Sequence, residues 1–146
     1  MIECWVVPCN IKHFDLVSHF EKSDTVVWKN SFTIKQGDTV YIYIGSPISE
    51  IRYRCTVISD SVTDEVLAEN RYAIVEKTGN NYFSKKVKYV QLRKEVVYPE
   101  KLFPLEELRN NGLGQVQIQA RADRRLRAFL EQAEEKAKKG ENITNG

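Results

Sequence analysis

Basic side chains, with aromatic ones between them, are the residues of this sequence best suited to contacting a ligand. The three local basic groups are Lys29 with Arg52 and Arg54; Lys85, Lys86 and Lys88; and Arg121 with Arg124, Arg125 and Arg127. Cations separated by apolar positions suit a surface that follows phosphates. For the last group the alternative is a charged helix face that only keeps the protein in solution.

The aromatic residues allow two interpretations. Trp28 stands at the end of a predicted strand, and Tyr41 and Tyr43 share one face of the next strand. If the opposite face is core, the two tyrosines are presented to solvent and could stack on a flat ring. The alternative is that all three aromatic side chains pack a helix against the sheet.

Residues for catalysis or metal binding are not grouped in this sequence. His13 and His19 are six positions apart on one predicted helix, a spacing that turns them about 120° apart and does not suit a shared metal ion. Cys9 has Lys12 and His13 close by and could be a thiol of lowered pKa, or a small buried side chain at a strand end. We therefore predict no catalytic residue, no metal site and no cofactor.

Composition predicts one folded domain without a membrane segment. The 146 residues are 42% hydrophobic and 29% charged, and 22 Lys and Arg stand against 20 Asp and Glu, for a formal charge of +2. That charge is too small for a general nucleic-acid coat protein, so any basic surface is local. Three cysteines without a CxxC pair predict neither a disulfide framework nor a zinc knuckle, and together with the absence of a signal peptide they predict a cytoplasmic protein.

Periodicity predicts strand, helix, about five strands and then helices. A strand over Glu3 to Val7 ends at Pro8, and Asn10 caps a helix over Ile11 to Glu21. The later predicted strands are Thr25 to Lys29, Thr39 to Ile44, Glu50 to Ser59, Asn70 to Lys77 and Tyr82 to Val97, with an acidic loop over Asp60 to Glu69. The predicted helices that follow are Leu105 to Asn110 and Ala122 to Lys139. We predict a single domain over 1–139 and a disordered tail over 140–146.

The order of these motifs resembles the EVE domains of the PUA-like superfamily, which are related to YTH and ASCH domains. The residues that carry the resemblance are Cys4 to Pro8, Val27 to Ser31, Ile34 to Tyr43, Gly45 to Pro47, Tyr53 to Val57, and Gly114 and Gln115 leading to Arg121. The resemblance implies an α+β fold, a PUA-like pseudo-β-barrel of five to six mixed strands with short flanking helices and a C-terminal helix.

The resemblance also implies a pocket beside the barrel that takes in one base. Trp28 would stack on the base, Lys29 and Ser31 would supply hydrogen-bond donors, and Trp5 would form the floor. The opposite wall would be Tyr43, Gly45 and Ser46. Phosphates around this pocket would meet Arg52, Arg54, Lys85, Lys86, Lys88 and Arg121.

We therefore expect a non-catalytic DNA-binding module that recognises a modified base, such as a methylated cytosine or adenine, by base flipping. It would be the specificity domain of a modification-dependent restriction system, with a fused or separately encoded nuclease as partner. Alternatives are an RNA-binding PUA-like or ASCH-like module, an ASCH-like hydrolase of modified nucleosides with Lys29 as its reactive amine, and a protein-interaction domain that uses the last helix.

Overall fold

The computed structural model of this chain describes residues 2–30, 32–69, 88–140 and 144–145. It contains a mixed β-sheet with helices on both sides. The strands are β1 (Cys4–Cys9), β2 (Thr25–Lys29), β3 (Thr39–Ile44), β4 (Glu50–Ser59), β5 (Tyr89–Val97), β6 (Ala120–Arg121) and β7 (Thr144–Asn145). The helices are α1 (Leu16–Lys22), α2 (Asp64–Glu69), α3 (Leu105–Asn110) and α4 (Arg124–Lys139). In these described parts of the chain, no helix has the length and apolar character needed to cross a membrane.

The strand order is β2-β5-β4-β3-β1-β6, and the short β7 pairs with the end of β5. β1 and β3 run parallel, and the other neighbours are antiparallel. The two edges of this order meet, because Gln119, just before β6, donates its Nε2 hydrogen to the Lys29 carbonyl oxygen at the end of β2, 2.5 Å away. The sheet therefore closes on itself, and the predicted α+β class is confirmed.

Both faces of the sheet are buried. Inside the barrel, one core contains Trp5, Val7, Cys9, Val40, Ile42, Ile44, Tyr53, Cys55 and Val57, together with Phe14, Leu16 and Phe20 around α1. Outside it, a second core contains Cys4, Val6, Tyr41, Tyr43, Ile51, Val96 and Tyr98, covered by Leu108 of α3 and by Leu126 and Leu130 of α4. β3 thus has no solvent face, because its two sets of alternating side chains each meet a different core.

Several predicted elements are confirmed. In β4 the buried residues alternate with half-buried ones from Glu50 to Val57, as the sequence pattern indicates. Pro104 is the N-cap of α3. α4 begins at Arg124, because the Asp123 carboxylate accepts a hydrogen bond from the Leu126 amide at 2.8 Å.

The start of the chain differs from the prediction in two places. β1 continues through Pro8 to Cys9 rather than ending at Pro8. A proline is tolerated there because, among the described residues, β6 pairs only with Trp5 and Val6, so Pro8 needs no amide hydrogen on that side. α1 begins at Leu16 with Asp15 as its cap, since the Asn10 carbonyl oxygen instead accepts the amides of a preceding turn.

The acidic segment predicted as a loop contains α2. The Thr63 hydroxyl accepts a hydrogen bond from the Val66 amide at 3.3 Å, and Asp64 and Glu65 lie in the first turn, where carboxylates are favourable. Leu67 of this helix packs on Val27, and this contact stabilises the helix against the sheet. The predicted strand at 70–77 lies outside the described residues, and of the tail at 140–146 the structure describes Gly140 and the β7 pairing.

Candidate functional site

A pocket of about 650 Å³ opens where the parallel strands β1 and β3 end. Their register sets Cys9 beside Ile44, and the Gly45 amide donates to the Cys9 carbonyl oxygen at 3.0 Å, which fixes the two following loops side by side. The lining residues are Pro8, Cys9, Asn10, Lys12, Tyr43, Gly45, Ser46, Ser49, Leu105, Val116 and Gln117. We call this the strand-end pocket. Its volume is typical of small-ligand sites, and its wall mixes apolar groups with amides, hydroxyls and one ammonium.

Cys9 forms part of the wall of the strand-end pocket, and its thiol is buried. Its side chain is 3% exposed, and its thiol donates a hydrogen bond to the Phe14 carbonyl oxygen at 3.7 Å. Burial, assisted by the negative charge of Asp15, raises the pKa of Cys9 to about 12. Burial and this hydrogen bond favour the second interpretation of Cys9, a small buried side chain at a strand end.

A second pocket, of about 240 Å³, lies between the N-terminal half of β1, β6 and the loop after β2. Its lining residues are Trp5, Phe32, Thr33, Gln119, Ala120 and Arg121, and we call it the aromatic pocket. The rings of Trp5 and Phe32 stack with their centroids 6.2 Å apart and their planes 20° apart. The Arg121 guanidinium lies 5.2 Å from the centre of the buried Trp5 ring. A cation and the exposed ring of Phe32 therefore border one opening.

Asp38 holds Trp5 in place. This buried carboxylate accepts hydrogen bonds from the Trp5 indole Nε1 at 3.0 Å, the Glu3 amide at 3.1 Å and the Lys35 amide at 3.0 Å. Gly37 makes the turn possible with a φ of +95°, a conformation that favours glycine. The sequence Gln36-Gly37-Asp38 is typical of a turn, but no local pattern indicates the bond between Trp5 and Asp38, because that bond joins residues 33 positions apart.

The structure divides the predicted base pocket. Tyr43, Gly45 and Ser46 line the strand-end pocket, whereas Trp5 lines the aromatic pocket. Trp28 lines neither of these two: it is 5% exposed and packs in the barrel core, with its ring 5.8 Å from that of Phe14.

The remaining residues of that predicted pocket are Lys29 and Ser31. The Lys29 side chain is exposed, while its backbone carbonyl accepts the Gln119 amide. Ser31 lies outside the described residues. The Lys29 backbone thus lies beside the aromatic pocket, because its carbonyl oxygen is bonded to Gln119, which lines that pocket.

The two tyrosines of β3 pack against helices, as the second interpretation of the aromatic residues predicts. Tyr41 and Tyr43 are both buried against the helices outside the barrel, so β3 does not present them as a stacking surface. Burial first of all, with the nearby Cys4 and Glu134 as lesser causes, raises the pKa of Tyr41 well above its ordinary value. The prediction of a solvent face with two tyrosines is wrong because α4 covers it.

The described residues predicted to contact phosphate lie at separate places in the structure. Arg54 is engaged by Glu134 of α4, and Arg52 lies 3.5 Å from a carboxylate oxygen of Glu50. Lys88 is exposed, Arg121 borders the aromatic pocket, and Lys85 and Lys86 lie outside the described residues. Arg54 already has a carboxylate partner, because α4 covers that face of β4 and supplies Glu134.

The two histidines do not form a metal site. His13 is exposed in the turn before α1, whereas His19 is buried, with Nε2 2.5 Å from the Thr25 carbonyl oxygen. Burial lowers the pKa of His19 below its ordinary value. Among the described residues no three His, Cys, Asp or Glu side chains are grouped to hold a metal ion.

Comparison with known proteins gives similarity at the level of the fold. No known family matches the sequence, and no curated protein matches it either. Among solved structures, the ASCH protein from Zymomonas mobilis has a TM-score of 0.60 and 12% identity, over 89% of this chain and 94% of that chain. A serine-to-alanine mutant of it has a TM-score of 0.62 and 11% identity, over 89% and 95%.

A hypothetical protein from Leishmania major is also similar, with a TM-score of 0.58 and 16% identity, over 93% of this chain and 97% of that chain. The coverage is nearly complete in both directions, so these chains share the whole fold rather than one motif. The fold of this protein is therefore similar to that of the ASCH protein from Zymomonas mobilis over nearly its whole length.

Proposed function

We propose that this protein is a nucleic-acid-binding module that takes one modified base into the strand-end pocket. The observation that carries the proposal is the joint position of Tyr43, Gly45 and Ser46 in the wall of a pocket of about 650 Å³. These three are the residues that the resemblance to EVE domains assigns to one wall of the base pocket. The shared ASCH fold supports the same class of ligand.

The chemistry of the wall suits a flat, polar, uncharged ring. Asn10 and Gln117 offer amide donors and acceptors, Ser46 and Ser49 offer hydroxyls, and Pro8, Leu105 and Val116 offer apolar surface. Stacking alone does not distinguish a base from its methylated form, so selectivity depends on the fit and on hydrogen bonds to the base edge. The exposed Lys12 at the rim can contact the phosphate beside an extruded base.

The proposed role is non-catalytic recognition of modified DNA, as the specificity module of a modification-dependent restriction system, with cleavage carried out by a nuclease partner. Supporting it, the one thiol in the pocket wall is a protected, protonated group. The alternative of RNA binding is separated by the titration described next, and that of nucleoside hydrolysis with Lys29 as the amine by a turnover assay of the same protein.

The test is a fluorescence anisotropy titration at one fixed salt concentration. The probes are short duplexes that differ only in cytosine, 5-methylcytosine, 5-hydroxymethylcytosine or 6-methyladenine, with matching oligoribonucleotides. We expect one modified duplex to bind at least tenfold more tightly than the unmodified one, a difference of about 1.4 kcal/mol.

Ser46→Phe is the variant, because the added ring occupies the strand-end pocket from an exposed position. Ser61→Phe, at an exposed serine in another loop, is the matched control. The preference should be lost in the first and kept in the second. Equal binding to all duplexes would overturn base recognition, tighter binding of the ribonucleotides would favour the RNA module, and nucleoside turnover that Lys29→Ala removes would favour the hydrolase.

A further inference from the structure

We infer that the aromatic pocket is a second subsite, at which Phe32 stacks on a nucleotide of the same strand, a few steps from the recognised base, and Arg121 binds its phosphate. This inference rests on the proposed function and extends it from one base to a short strand. It depends on three observations: the exposed ring of Phe32, the available charge of Arg121, and the segment that both pockets share.

Phe32 is exposed and yet held in place. Half of its surface, 50%, faces solvent, while its ring lies against the buried Trp5. The Asn30 side chain fixes the loop: its oxygen accepts the amides of Phe32 at 3.3 Å and Ile34 at 3.2 Å, and its nitrogen donates to the Ile34 carbonyl oxygen at 3.0 Å. A large apolar ring whose backbone is held by such a hydrogen bond is a stacking platform that loses little freedom on binding.

Arg121 has the charge and position to bind a phosphate next to that platform. Its guanidinium lies over the Trp5 ring, and one of its nitrogens donates to the Thr33 hydroxyl at 3.3 Å. Among the described residues, no carboxylate forms an ion pair with it. Its remaining donors therefore stay available for a phosphate oxygen, a group that arginine binds well.

The two pockets are neighbours along one segment. Val116 and Gln117 line the strand-end pocket, and Gln119 to Arg121 line the aromatic pocket. Trp5 and Pro8, one from each pocket, are three residues apart on β1, or about 10 Å. About three nucleotide steps cover that length at 3.4 Å each. Ile118, 52% exposed, lies on the same segment and adds apolar surface between the pockets.

The test compares a modified nucleoside with single strands of three and five nucleotides that carry the same modified base. The variants are Phe32→Ala, the conservative Phe32→Tyr, and Arg121→Gln. Arg124→Gln, at an exposed arginine of α4 outside both pockets, is the matched control. Thermal unfolding of each variant shows that the fold is kept.

We expect the five-nucleotide strand to bind wild type at least tenfold more tightly than the nucleoside. Phe32→Ala should lower its affinity about tenfold, Phe32→Tyr should restore it, and nucleoside affinity should not change. Arg121→Gln should weaken strand binding about fivefold and reduce the slope of log affinity against log salt by about one unit, whereas Arg124→Gln should do neither.

Two results overturn the second subsite while leaving the base pocket intact: a strand that binds no more tightly than the nucleoside, or a Phe32→Ala variant that binds the strand as wild type does. An equal loss for nucleoside and strand in Phe32→Ala also overturns it, since that result means one shared site. If strand binding needs Phe32 but is unaffected by Ser46→Phe, base binding in the strand-end pocket is overturned and stacking on Phe32 is retained. No binding of any probe overturns both.

Discussion

Arg54 and Glu134 form a two-point ion pair that joins the centre of the sheet to the C-terminal helix across 80 positions of sequence. Arg54 Nε lies 2.9 Å from Oε1 of Glu134, and Nη2 lies 3.3 Å from Oε2. The Tyr98 hydroxyl donates a short hydrogen bond to the same carboxylate. Through this cluster, β4 and Tyr98, the residue after β5, hold α4 over the outer core.

Removing the carboxylate should destabilise the fold. The side chains of Glu134 and Arg54 are only 12% and 25% exposed, so Glu134→Ala leaves a largely buried arginine and a tyrosine hydroxyl without their acceptor. Breaking a fully buried pair costs about 3 to 5 kcal/mol, and partial exposure here lowers the expected loss to about 2 kcal/mol. Urea unfolding measures it. Glu135→Ala, at the exposed neighbour, is the control and should change the free energy of unfolding by less than about 0.5 kcal/mol.

The same carboxylate should make stability depend on pH. Burial by itself would raise the pKa of Glu134, but the hydrogen bonds from Arg54 and Tyr98 and the charge of Arg54 outweigh it and hold that pKa below its ordinary value of 4.5. Because the folded state favours the ionised form, this contribution is complete above pH 4.5 and is lost as the pH falls through the folded-state value. Urea unfolding from pH 7 down to pH 3 follows it. The difference between wild type and Glu134→Gln should shrink below about pH 4.5, and a constant difference would contradict the assignment.

Trp28 should behave as a core residue. Its ring fills the barrel beside Phe14, so Trp28→Ala should lower the free energy of unfolding by about 3 to 5 kcal/mol, and Trp28→Phe should lower it less. Thermal and urea unfolding of the two variants give the comparison. A Trp28→Ala protein of near-normal stability that no longer binds oligonucleotides would instead support the stacking role that the resemblance implies.

The three thiols should be protected in the folded protein. Cys4, Cys9 and Cys55 are all buried, and burial is the main reason that each of their pKa values is raised, to about 12 for Cys9. Reaction with a chromogenic disulfide reagent at pH 8 should therefore be slow for the native protein, and all three should react at once in urea. Fast labelling of one native thiol would restore a reactive cysteine to consideration.

Some residues of the candidate site could be predicted from the sequence, but which of them lie together in one pocket could not. Tyr43, Gly45 and Ser46 follow a strand with a clear local signal, and they do line one pocket. Trp5 lies at another pocket because Asp38 and Arg121 hold it there, through contacts that span 33 positions in one case and the pairing of β1 with β6 in the other. No local pattern contains such pairings.

The sequence by itself determined what depends on nearest neighbours along the chain: the alternation that makes β4 a strand, the helical periodicity of α4, and the turn at Gly37. Tertiary structure alone decided which faces meet solvent. β3 is buried on both sides, because α4 and the α1 region cover opposite faces, and Arg54 has a carboxylate partner, because α4 lies over β4. The physical reason is that periodicity reports the direction of a side chain, whereas its burial depends on what distant segment packs there.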